Sequence, residues 1–396
     1  MRIAVFHNLP SGGAKRALHG FVRHLTETGH RVDAFLPDTA DEAYLPLARV
    51  AHRCVTFPVR RTVAGVIAST LRYVPSPSSI LGDLARVQRR IADDIDKGEY
   101  DVVFVEQDRY VLSPFVLKFV QTPTVYYCQQ PYRSNEGILR RLSQPRHDGL
   151  IRTLWSRHVV SKAMAAIDRQ NAAAAHYILA NSCFSREAIL GAYGLNAFVC
   201  YLGVDVGLFK PTGVDRENLV LSVGALIANK GYDFLVKSFA RIAERIRPPL
   251  VIVANSVDRP WRRYIEQLAA QLGVRLEIRT MVSEVELCLY YNKAKLFAYA
   301  PYLEPFGLAP LEAMACGAPV IAIKEGGIRE SVLDGETGVL TQRDEGLFAE
   351  AVTELLYDEK KREGLAERGI EAIRRSWTQE LATERLLWHL RRAVHS

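Results

Sequence analysis

The sequence predicts an α/β protein made of two doubly wound, Rossmann-like domains that face each other across a cleft. The chain has 396 residues, and at roughly 100–200 residues per domain this length corresponds to two domains. Short β-prone segments alternate with segments whose apolar residues recur at helical spacing, which is typical of parallel sheets covered by helices. The alternation restarts near residue 205. We therefore expect domains over residues 1–204 and 205–376, with a final helix in residues 377–396 that can pack back on the first domain.

The first domain is expected to begin with a strand, Arg2–His7, a glycine-containing loop and a helix over Ala14–Thr28. Apolar side chains in that helix recur at the spacing of one buried helical face. Helices are also expected over residues 84–97 and near 157–176. Further strands are predicted from short β-prone segments at Arg31–Leu36, Asp101–Glu106, Thr124–Gln129, Tyr177–Asn181 and Val199–Leu202.

The second domain is expected to follow a linker, Val204–Val214, in which Pro211 and Gly213 interrupt regular structure. A helix is predicted over Tyr232–Arg245 and a last one over Trp377–Ala393. Strands are predicted at Leu219–Val223, Leu250–Ala254, Val274–Arg279, Lys295–Tyr299 and Val320–Ile323. Ligands of such sheets bind beyond the carboxyl ends of the strands, so we expect the functional residues in the loops that follow them.

The composition is that of an ordinary globular protein, with 48% hydrophobic and 24% charged residues. No apolar run reaches the roughly 18 residues that a membrane-spanning helix needs. The apolar N-terminal run stops at Asn8 and Pro10, too short for a secretion signal, so we expect a cytoplasmic protein. The six cysteines form no C-x-x-C pair and show no metal-ligand spacing with the ten histidines. We expect buried thiols in a reducing compartment and no bound metal.

The net charge of +7 comes from the N-terminal half of the chain. Residues 1–205 hold 25 lysines and arginines against 18 acidic residues, whereas residues 206–396 hold 26 of each. Eight arginines fall in residues 49–90 beside one acid, Asp83, and six more fall in residues 133–157. Such a field favours an anionic partner, either a phosphate-bearing acceptor or a lipid surface at the cytoplasmic face of the membrane. A solvated arginine-rich surface explains the same charge. Nucleic acid is not expected, because no recognition module accompanies the charge.

Two loops carry residue types suited to phosphate. The loop after the first strand contains Gly12 and Gly13, which let the backbone approach a ligand while the following helix start offers free N–H groups. The loop Gly224–Gly231 opens the second domain and contains Lys230, whose ammonium can neutralise a diphosphate. A Gly-Gly turn is also a common structural element and a loop lysine is often only solvated, so neither loop identifies a site by itself.

A third segment carries two carboxylates separated by seven residues, Glu304 and Glu312, on either side of Phe306–Leu308. Pro310 favours a helix start, which would place Glu312 in the first turn of that helix. Carboxylate oxygens accept hydrogen bonds from vicinal hydroxyls, and nearby N–H groups can bind phosphate or sugar oxygens. An acidic residue favoured by the helix dipole is the alternative explanation of Glu312.

Together these segments resemble, in order along nearly the whole chain, the retaining GT-B glycosyltransferases of the GT4 type. The pattern of Glu304 and Glu312 continues through Glu312-Ala-Met-Ala-Cys-Gly-Ala-Pro-Val320, as in that family. Many motifs in one order are a specific signal, whereas one short motif is not. Further matching segments are Gly12-Gly13-Ala14, Ala180–Glu187, Leu202–Pro211, Lys230-Gly231, Gly326–Glu330 and Asp334–Gly338.

The resemblance implies a role for each matching position. Lys230 is expected to bind the donor diphosphate, Glu304 to hydrogen-bond the donor sugar, and Glu312 to hold the ribose hydroxyls. Gly12 and Gly13 are expected to close over the phosphates from the other domain. The family retains the anomeric configuration, is usually assigned a same-face attack by the acceptor, and generally needs no metal or other cofactor. Lys230 and Glu304 would then carry the catalysis, by stabilising the departing diphosphate and orienting the sugar. Backbone N–H groups near the sugar are implied for Phe306, Gly307 and Leu308.

Two departures from the family pattern bear on activity. Ala225 stands where the family usually has an arginine, five residues before the diphosphate lysine, so one charge on the leaving group is missing. Gln129 and Gln130 stand in the acceptor-side segment where many relatives have a histidine; glutamine can hydrogen-bond a hydroxyl but accepts no proton at neutral pH. His7, at the end of the first strand, is the remaining acceptor-side candidate, with strand-end packing as its alternative.

The sequence thus predicts a glycosyltransferase that moves a hexose-type sugar from a nucleotide-diphosphate sugar to a hydroxyl acceptor, anionic or membrane-held. The alternatives are a GT-B hydrolase or phosphorylase, and a non-catalytic sugar-nucleotide-binding partner subunit, which Ala225 keeps open. Asp94-Ile-Asp96 spells the D-x-D pattern that binds a metal in the other glycosyltransferase fold. It falls in a charged helical segment rather than in a loop after a strand, and we expect no metal there.

Overall fold

The structure, a computed structural model, describes residues 1–60, 77–132 and 152–395 and separates them into two compact units. The first unit comprises the described residues up to Tyr201 together with those from Thr383 onward, and the second comprises Leu202–Ala382. Within the described ranges, no helix is both long and apolar enough to cross a membrane. Arg61, Arg72 and most of the arginine-rich run predicted over residues 133–157 lie outside the described residues.

The first unit contains, within the described residues, a seven-stranded parallel sheet. Its strands span Arg2–Asn8 (β1), Arg31–Pro37 (β2), Arg53–Phe57 (β3), Val102–Asp108 (β4), Thr124–Cys128 (β5), Tyr177–Ala180 (β6) and Phe198–Val199 (β7). Their order in the sheet is β3-β2-β1-β4-β5-β6-β7. Successive strands extend in opposite directions from β1 and β4, so the loops after these two strands border a crevice. The described helices of this unit are Gly13–Glu27, Pro77–Asp96, Arg152–Ala172 and Cys183–Tyr193, with 3-10 helices at Leu47–Arg49 and Phe115–Lys118. The last helix, Gln379–His395, belongs to this unit from Thr383 onward.

The central strands of the first sheet are buried on both faces, as parallel strands between helices must be. Every residue of β4 is buried, and so is every residue of β1 after the first. Helix Gly13–Glu27 buries the apolar face that its sequence spacing predicted. Phe21 on this helix packs edge-on against Phe104 of β4, with 6.2 Å between the ring centroids. Burial of such side chains, worth roughly 1.5–3 kcal/mol each, holds the helix on the sheet.

The second unit contains, over its own described residues, a six-stranded parallel sheet. Its strands span Glu217–Val223 (β8), Leu250–Ala254 (β9), Leu276–Thr280 (β10), Ala294–Tyr299 (β11), Val320–Ile323 (β12) and Gly338–Thr341 (β13). Their order is β10-β9-β8-β11-β12-β13, so a second crevice lies beyond the ends of β8 and β11. The helices are Tyr232–Ala240, Arg259–Gln271, Glu284–Lys293, Leu308–Ala315, Ile328–Ser331, Glu345–Tyr357 and Glu359–Ser376, with 3-10 helices at Ala228–Lys230 and Glu244–Ile246.

The predicted fold class, two Rossmann-like parallel sheets in tandem, is confirmed, but the sequence pattern misses two strands. β3 and β13 each lie at the edge of a sheet, and each pairs along one side only, with β2 and β12. Their segments are short and begin with Arg53 and Gly338, residues that do not favour a strand. Pairing with a neighbouring strand, which the local sequence does not encode, forms them.

Two other predicted elements are shorter in the structure. In place of the strand predicted at Val199–Leu202, the structure has the two-residue β7, which overlaps the prediction at Val199 only. The helix predicted over Tyr232–Arg245 ends at Ala240. The guanidinium of Arg247 donates hydrogen bonds to the carbonyls of Ala240 and Ile242 and so caps the helix early.

The last helix returns the chain to the first unit. Before it, Val204 of the linker exchanges backbone hydrogen bonds with Trp377 and Gln379. Gly203 packs against the same segment, because a Cβ there would lie 2.2 Å from the Thr378 carbonyl oxygen. From Thr383 onward the helix belongs to the first unit, where His389 Nδ1 lies 3.1 Å from Tyr177 Oη and where Leu386 and Leu390 are fully buried.

Candidate functional site

Lys230 is placed by a tight turn after the first strand of the second sheet. β8 ends at Val223, a 3-10 helix spans Ala228–Lys230, and Gly231, with φ +67°, is the N-cap of the next helix. A Cβ at Gly231 would lie 2.0 Å from the Ala300 carbonyl oxygen, so a glycine is required where the turn meets the loop after β11. The turn thereby brings Lys230 to that loop, in the crevice between the ends of β8 and β11.

Lys230 and Glu304 form an ion pair in this crevice. Lys230 Nζ lies 2.7 Å from Glu304 Oε2, and the two side chains are 19% and 16% exposed, so both are largely covered yet reach solvent. The buried Tyr299 side chain lies near the same carboxylate. Burial and the adjacent Glu304 carboxylate raise the pKa of Tyr299 well above its usual value, so Tyr299 stays protonated. The two residues expected to be catalytic thus lie in one hydrogen-bonded group.

Two glycines hold the backbone that carries Glu304. A Cβ at Gly326, where φ is +63°, would lie 2.3 Å from the Glu304 carbonyl oxygen. A Cβ at Gly327 would lie 2.1 Å from the Pro305 carbonyl oxygen. The Gly327 N–H donates to the Glu304 carbonyl over 2.8 Å. Side chains at either position would therefore displace Glu304, which gives a physical reason for the Gly-Gly motif seen in the sequence.

The structure corrects the expected position of Glu312 in its helix. Gly307, with φ +91°, precedes the helix Leu308–Ala315, so the helix begins two residues before Pro310. Glu312 therefore lies in the second turn, beyond the reach of the helix start. It is 2% exposed and accepts a hydrogen bond from Tyr291 Oη over 2.7 Å.

The residues that precede this helix contact neighbouring aromatic side chains. Phe306 is buried, with its ring 5.7 Å from that of Trp377. Gly307 makes close contact with Tyr299, since a Cβ there would lie 3.4 Å from Tyr299 Cε1. Leu308 and Ala309 are the first two residues of the helix, and N–H groups in the first turn of a helix have no partner within that helix. The helix start is therefore suited to hydrogen-bond oxygen atoms of a ligand.

The glycine loop of the first unit lies at the start of its first helix. Gly12 (φ +152°) is the N-cap, and the helix starts at Gly13, which is exposed. Asn8 fixes the loop, because its side-chain amide donates to the buried Asp108 carboxylate and its carbonyl accepts from the Arg109 N–H. The loop therefore presents an open helix N-terminus at the carboxyl end of β1.

His7, the acceptor-side candidate, is fully buried in the structure. Its Nδ1 accepts a hydrogen bond from the Leu9 N–H, and its Nε2 lies 3.1 Å from Glu42 Oε1. Lys15, also fully buried, donates to the same carboxylate. Burial lowers the pKa of His7 to about 4. Burial would raise the pKa of Glu42, but hydrogen bonds from His7 and Lys15 outweigh it and bring that pKa down to about 2. His7 is thus a neutral packing residue in a buried polar cluster.

Gln129 is a buried link in a hydrogen-bond network at the ends of β4, β5 and β6. Its Nε2 donates to Glu106 Oε1 over 3.0 Å, and its Oε1 accepts from Asn181 Nδ2 over 2.9 Å. Burial raises the pKa of Glu106 to about 8, although the hydrogen bonds from Gln129 and the Gln107 N–H act in the opposite direction. Gln130 is half-buried, and its carbonyl accepts from Gln107 Nε2. Of the two candidate glutamines, Gln130 is therefore the more accessible to an acceptor.

Sequence reasoning missed several residues that shape these sites. Lys15 and Glu42 give no signal, because a charged residue in a helix or loop is ordinarily solvated. Glu106 could have been noticed, because it interrupts the apolar run of a strand predicted to be buried. Arg343, which binds the loop before Glu304, follows a strand that the pattern missed.

The D-x-D segment has a structural role. Asp96 ends the helix Pro77–Asp96, and its carboxylate accepts hydrogen bonds from the Gln121 N–H and from the N–H and hydroxyl of Thr122. Among the described residues, no group of three or more His, Cys, Asp or Glu side chains could hold a metal ion. The six cysteines are free, and four of them are buried.

Two family models match the chain and together cover most of it. The model described as Glycosyltransferase Family 4 matches residues 11–208, and the model described as Glycosyl transferases group 1 matches residues 208–372. The boundary between the two matches falls in the linker, so each model corresponds to one sheet.

Curated relatives and solved structures agree with these models. A D-inositol 3-phosphate glycosyltransferase from Geodermatophilus obscurus is 31% identical over 361 residues, which cover 84% of this chain and 75% of the relative. A protein of the same name from Xylanimonas cellulosilytica is 31% identical over 242 residues, 55% of this chain and 58% of the relative. The crystal structure of HepE from Anabaena in complex with UDP-glucose superposes with a TM-score of 0.75 at 17% identity, covering 99% of this chain and 100% of that one. The last similarity concerns the fold.

Proposed function

Because the chain belongs to the group 1, family 4 glycosyltransferases, we propose that it transfers a hexose-type sugar from a nucleotide-diphosphate sugar to a hydroxyl acceptor. The observation that carries the proposal is the Lys230–Glu304 pair in the crevice between β8 and β11. An ammonium beside a carboxylate suits a ligand that is anionic at one end and rich in hydroxyl groups at the other. The HepE structure contains UDP-glucose, which makes UDP-glucose the first donor to test.

In the proposed reaction the acceptor oxygen attacks the anomeric carbon from the face that the diphosphate leaves, so the configuration is retained. The bond from the anomeric carbon to the diphosphate oxygen breaks, and the acceptor proton passes to that oxygen. Lys230 exchanges the Glu304 carboxylate for the diphosphate and stabilises its developing charge. Glu304 then accepts hydrogen bonds from the sugar hydroxyls.

The nucleoside part of the donor is assigned to Glu312 and the neighbouring helix start. Both hydroxyls of a ribose can donate to one carboxylate, and Tyr291 orients that of Glu312 over 2.7 Å. The N–H groups at Phe306, Gly307 and Leu308 are assigned to oxygen atoms of the sugar and diphosphate. Gly12 and Gly13 are proposed to offer N–H groups to an anionic group of the substrates. No metal or other cofactor takes part in this proposal.

The acceptor is proposed to carry a phosphate. The curated relatives are named for a phosphorylated acceptor, inositol 3-phosphate. Within the described residues, the arginine-rich segment of the first unit is exposed at Arg49, Arg53, Arg60, Arg86, Arg89 and Arg90. Such a surface also fits an acceptor held at the cytoplasmic face of a membrane. Transfer to a soluble sugar phosphate without vesicles supports the first form, and transfer only in the presence of anionic vesicles supports the second.

The experiment that tests the function compares UDP-, GDP- and ADP-glucose by calorimetric titration and by transfer to inositol phosphates. Binding of at least one donor by the wild type, and its loss in Glu304→Ala and Lys230→Ala, are expected. Absence of binding by every donor contradicts the proposal. Ala225 favours a second candidate, a partner subunit that binds the donor without turnover. Binding without transfer or donor hydrolysis in the wild type would support that candidate.

A further inference from the structure

Arg343 lies between the edge strand β13 and the helix Glu345–Tyr357, outside the family motifs found in the sequence. Its position is fixed by its neighbour, because Asp344 caps that helix and accepts hydrogen bonds from the Gly346 and Leu347 N–H groups. The Arg343 side chain is only 16% exposed. The backbone of Arg343 is therefore fixed beside a capped helix start, and its side chain is largely covered by its neighbours.

The guanidinium of Arg343 donates hydrogen bonds to the loop that leads to Glu304. Nη1 donates to the Ala300 carbonyl over 2.9 Å, and Nη2 donates to the Pro301 carbonyl over 2.7 Å. The guanidinium carbon lies 3.8 Å from the centroid of the Tyr302 ring, in a stacked cation–π contact. Three successive residues of the loop are therefore bound by one side chain.

The same guanidinium binds the second loop of the site. Its Nε and Nη2 donate to the two carboxylate oxygens of Glu325, each over 2.8 Å. Glu325 immediately precedes Gly326 and Gly327, which pack on the Glu304 backbone. Planar, two-pronged pairing of this kind holds orientation as well as distance.

The Lys230 turn meets Arg343 through the same loop. Gly231 packs on the Ala300 carbonyl that Arg343 binds, and a Cβ at Gly231 would lie 3.5 Å from Arg343 Nη1. The Tyr302 N–H donates to the Asn229 carbonyl over 2.8 Å. Arg343 thus contacts the loop that carries Glu304, and it contacts Glu325, the residue that precedes the two glycines. It also lies close to Gly231, which ends the turn that carries Lys230.

We propose that Arg343 is a positioning residue of the donor site, which fixes the loop of residues 300–304 against the Lys230 turn and so sets the geometry of the Lys230–Glu304 pair. The proposed effect of Arg343 on the loop does not depend on the function proposed above, whereas its proposed effect on donor binding rests on that function. Lysine cannot replace it, because a single ammonium cannot donate along two carbonyl directions and pair with both oxygens of Glu325 at once.

The test compares Arg343→Gln and Arg343→Lys with a matched control, Arg241→Gln. Arg241 also pairs with a glutamate in the second unit, over 3.2 Å to Glu345, but it is 58% exposed. Amide hydrogen exchange at Tyr302 and Gly327 is expected to quicken at least about tenfold in both Arg343 variants and to stay unchanged in the control. The Phe297 amide, bonded to the Pro319 carbonyl, is the internal reference and should not change.

With a donor that the wild type binds, both Arg343 variants are expected to raise KM and to lower kcat, while Arg241→Gln leaves both constants unchanged. Adding Glu325→Gln to Arg343→Gln should weaken donor binding no further, because Glu325 acts through the guanidinium. Uniformly faster exchange across the second unit, or unchanged exchange at Tyr302 and Gly327, would overturn the proposal. If the wild type binds no nucleotide sugar, the proposed function fails, and the exchange measurement still decides the role of Arg343 in the loop.

Discussion

At the scale of single residues, the charged groups of the proposed donor site form one ion pair. Lys230 and Glu304 neutralise each other, with 2.7 Å between Lys230 Nζ and Glu304 Oε2, and the buried Tyr299 lies near the same carboxylate. In the proposed function, a donor diphosphate replaces the Glu304 carboxylate as the partner of Lys230. Ala225, in the same loop, offers no second cation, so the proposed function assigns no other cationic side chain of this loop to the leaving group.

Lys230→Ala is therefore expected to lower kcat/KM by about 10²–10³-fold, the usual cost of removing one preorganised group that stabilises a leaving anion. Steady-state kinetics with the preferred donor measure this. The matched control is Lys293→Ala, which removes a lysine paired with Glu217 on the surface of the same unit, 2.8 Å apart. A loss of less than fivefold in the Lys230 variant would contradict the assigned role.

Tyr291→Phe removes the hydrogen bond that orients Glu312. Because hydrogen bonds to charged groups contribute about 1.5–3 kcal/mol, donor affinity should fall roughly tenfold or more. Titration of the variant with a nucleotide and with its 2′-deoxy analogue checks the assignment. The wild type should prefer the ribonucleotide, and Glu312→Ala should lose that preference. A preference that survives in Glu312→Ala would place the ribose elsewhere.

Glu106 makes the stability of the first unit depend on pH. Burial raises its pKa in the folded state to about 8, above the ordinary value of 4.5, so the folded protein binds the proton more tightly than the unfolded chain. Its contribution to stability therefore falls as pH rises from about 4.5 to about 8 and then levels off. Glu106→Gln removes this pH-dependent loss of stability. The substitution should raise the free energy of unfolding of the unit by up to a few kcal/mol at pH 8, and by much less at pH 5.

Urea unfolding of wild type and Glu106→Gln at pH 5, 6, 7 and 8 measures the difference. The nearby Asp108, whose pKa burial raises to about 6, is present in both proteins and cancels from the comparison. A difference in free energy of unfolding that does not change with pH would show that Glu106 is ionised in the folded state throughout this range.

At the scale of elements, the proposed donor site depends on the close approach of loops, which glycines permit. Gly326→Ala places a methyl group 2.3 Å from the Glu304 carbonyl oxygen. The variant should lose at least about tenfold in donor affinity. Gly335→Ala is the matched control, because Gly335 also has positive φ (+76°) but has no atom within 4 Å of its Cβ position. The control should cost about 1 kcal/mol of stability for its backbone conformation and leave donor binding intact.

Elements that the local sequence encodes have their predicted bounds, whereas elements that depend on distant residues do not. Strands β9 and β12 have the predicted bounds, because short buried apolar runs between turns are locally encoded. β3 and β13 depend on a neighbouring strand, and the early end of helix Tyr232–Ala240 depends on Arg247. In the site, the order of motifs predicted that Lys230 and Glu304 belong together, but Arg343 and Tyr299 are recognised only once the loops are folded.

At the scale of the whole molecule, the first unit is completed by residues from the far end of the chain. Leu386→Ala should destabilise that unit by about 2–5 kcal/mol, because Leu386 is fully buried in it. Trp388→Ala, on the exposed side of the same helix at 52% exposure, should have a much smaller effect. Hydrogen exchange in β5 and β6 reports the change, while β11 and β12 of the second unit should keep their protection. Equal effects of the two substitutions would contradict this packing.

The return of the last helix also orders events during synthesis. A ribosome delivers all seven described strands of the first sheet, and then the entire second unit, before it releases the helix that carries Leu386, Leu390 and His389. Until then Tyr177 and the residues that these side chains cover lack that packing. The first unit can therefore complete its core only after the second unit has been synthesised.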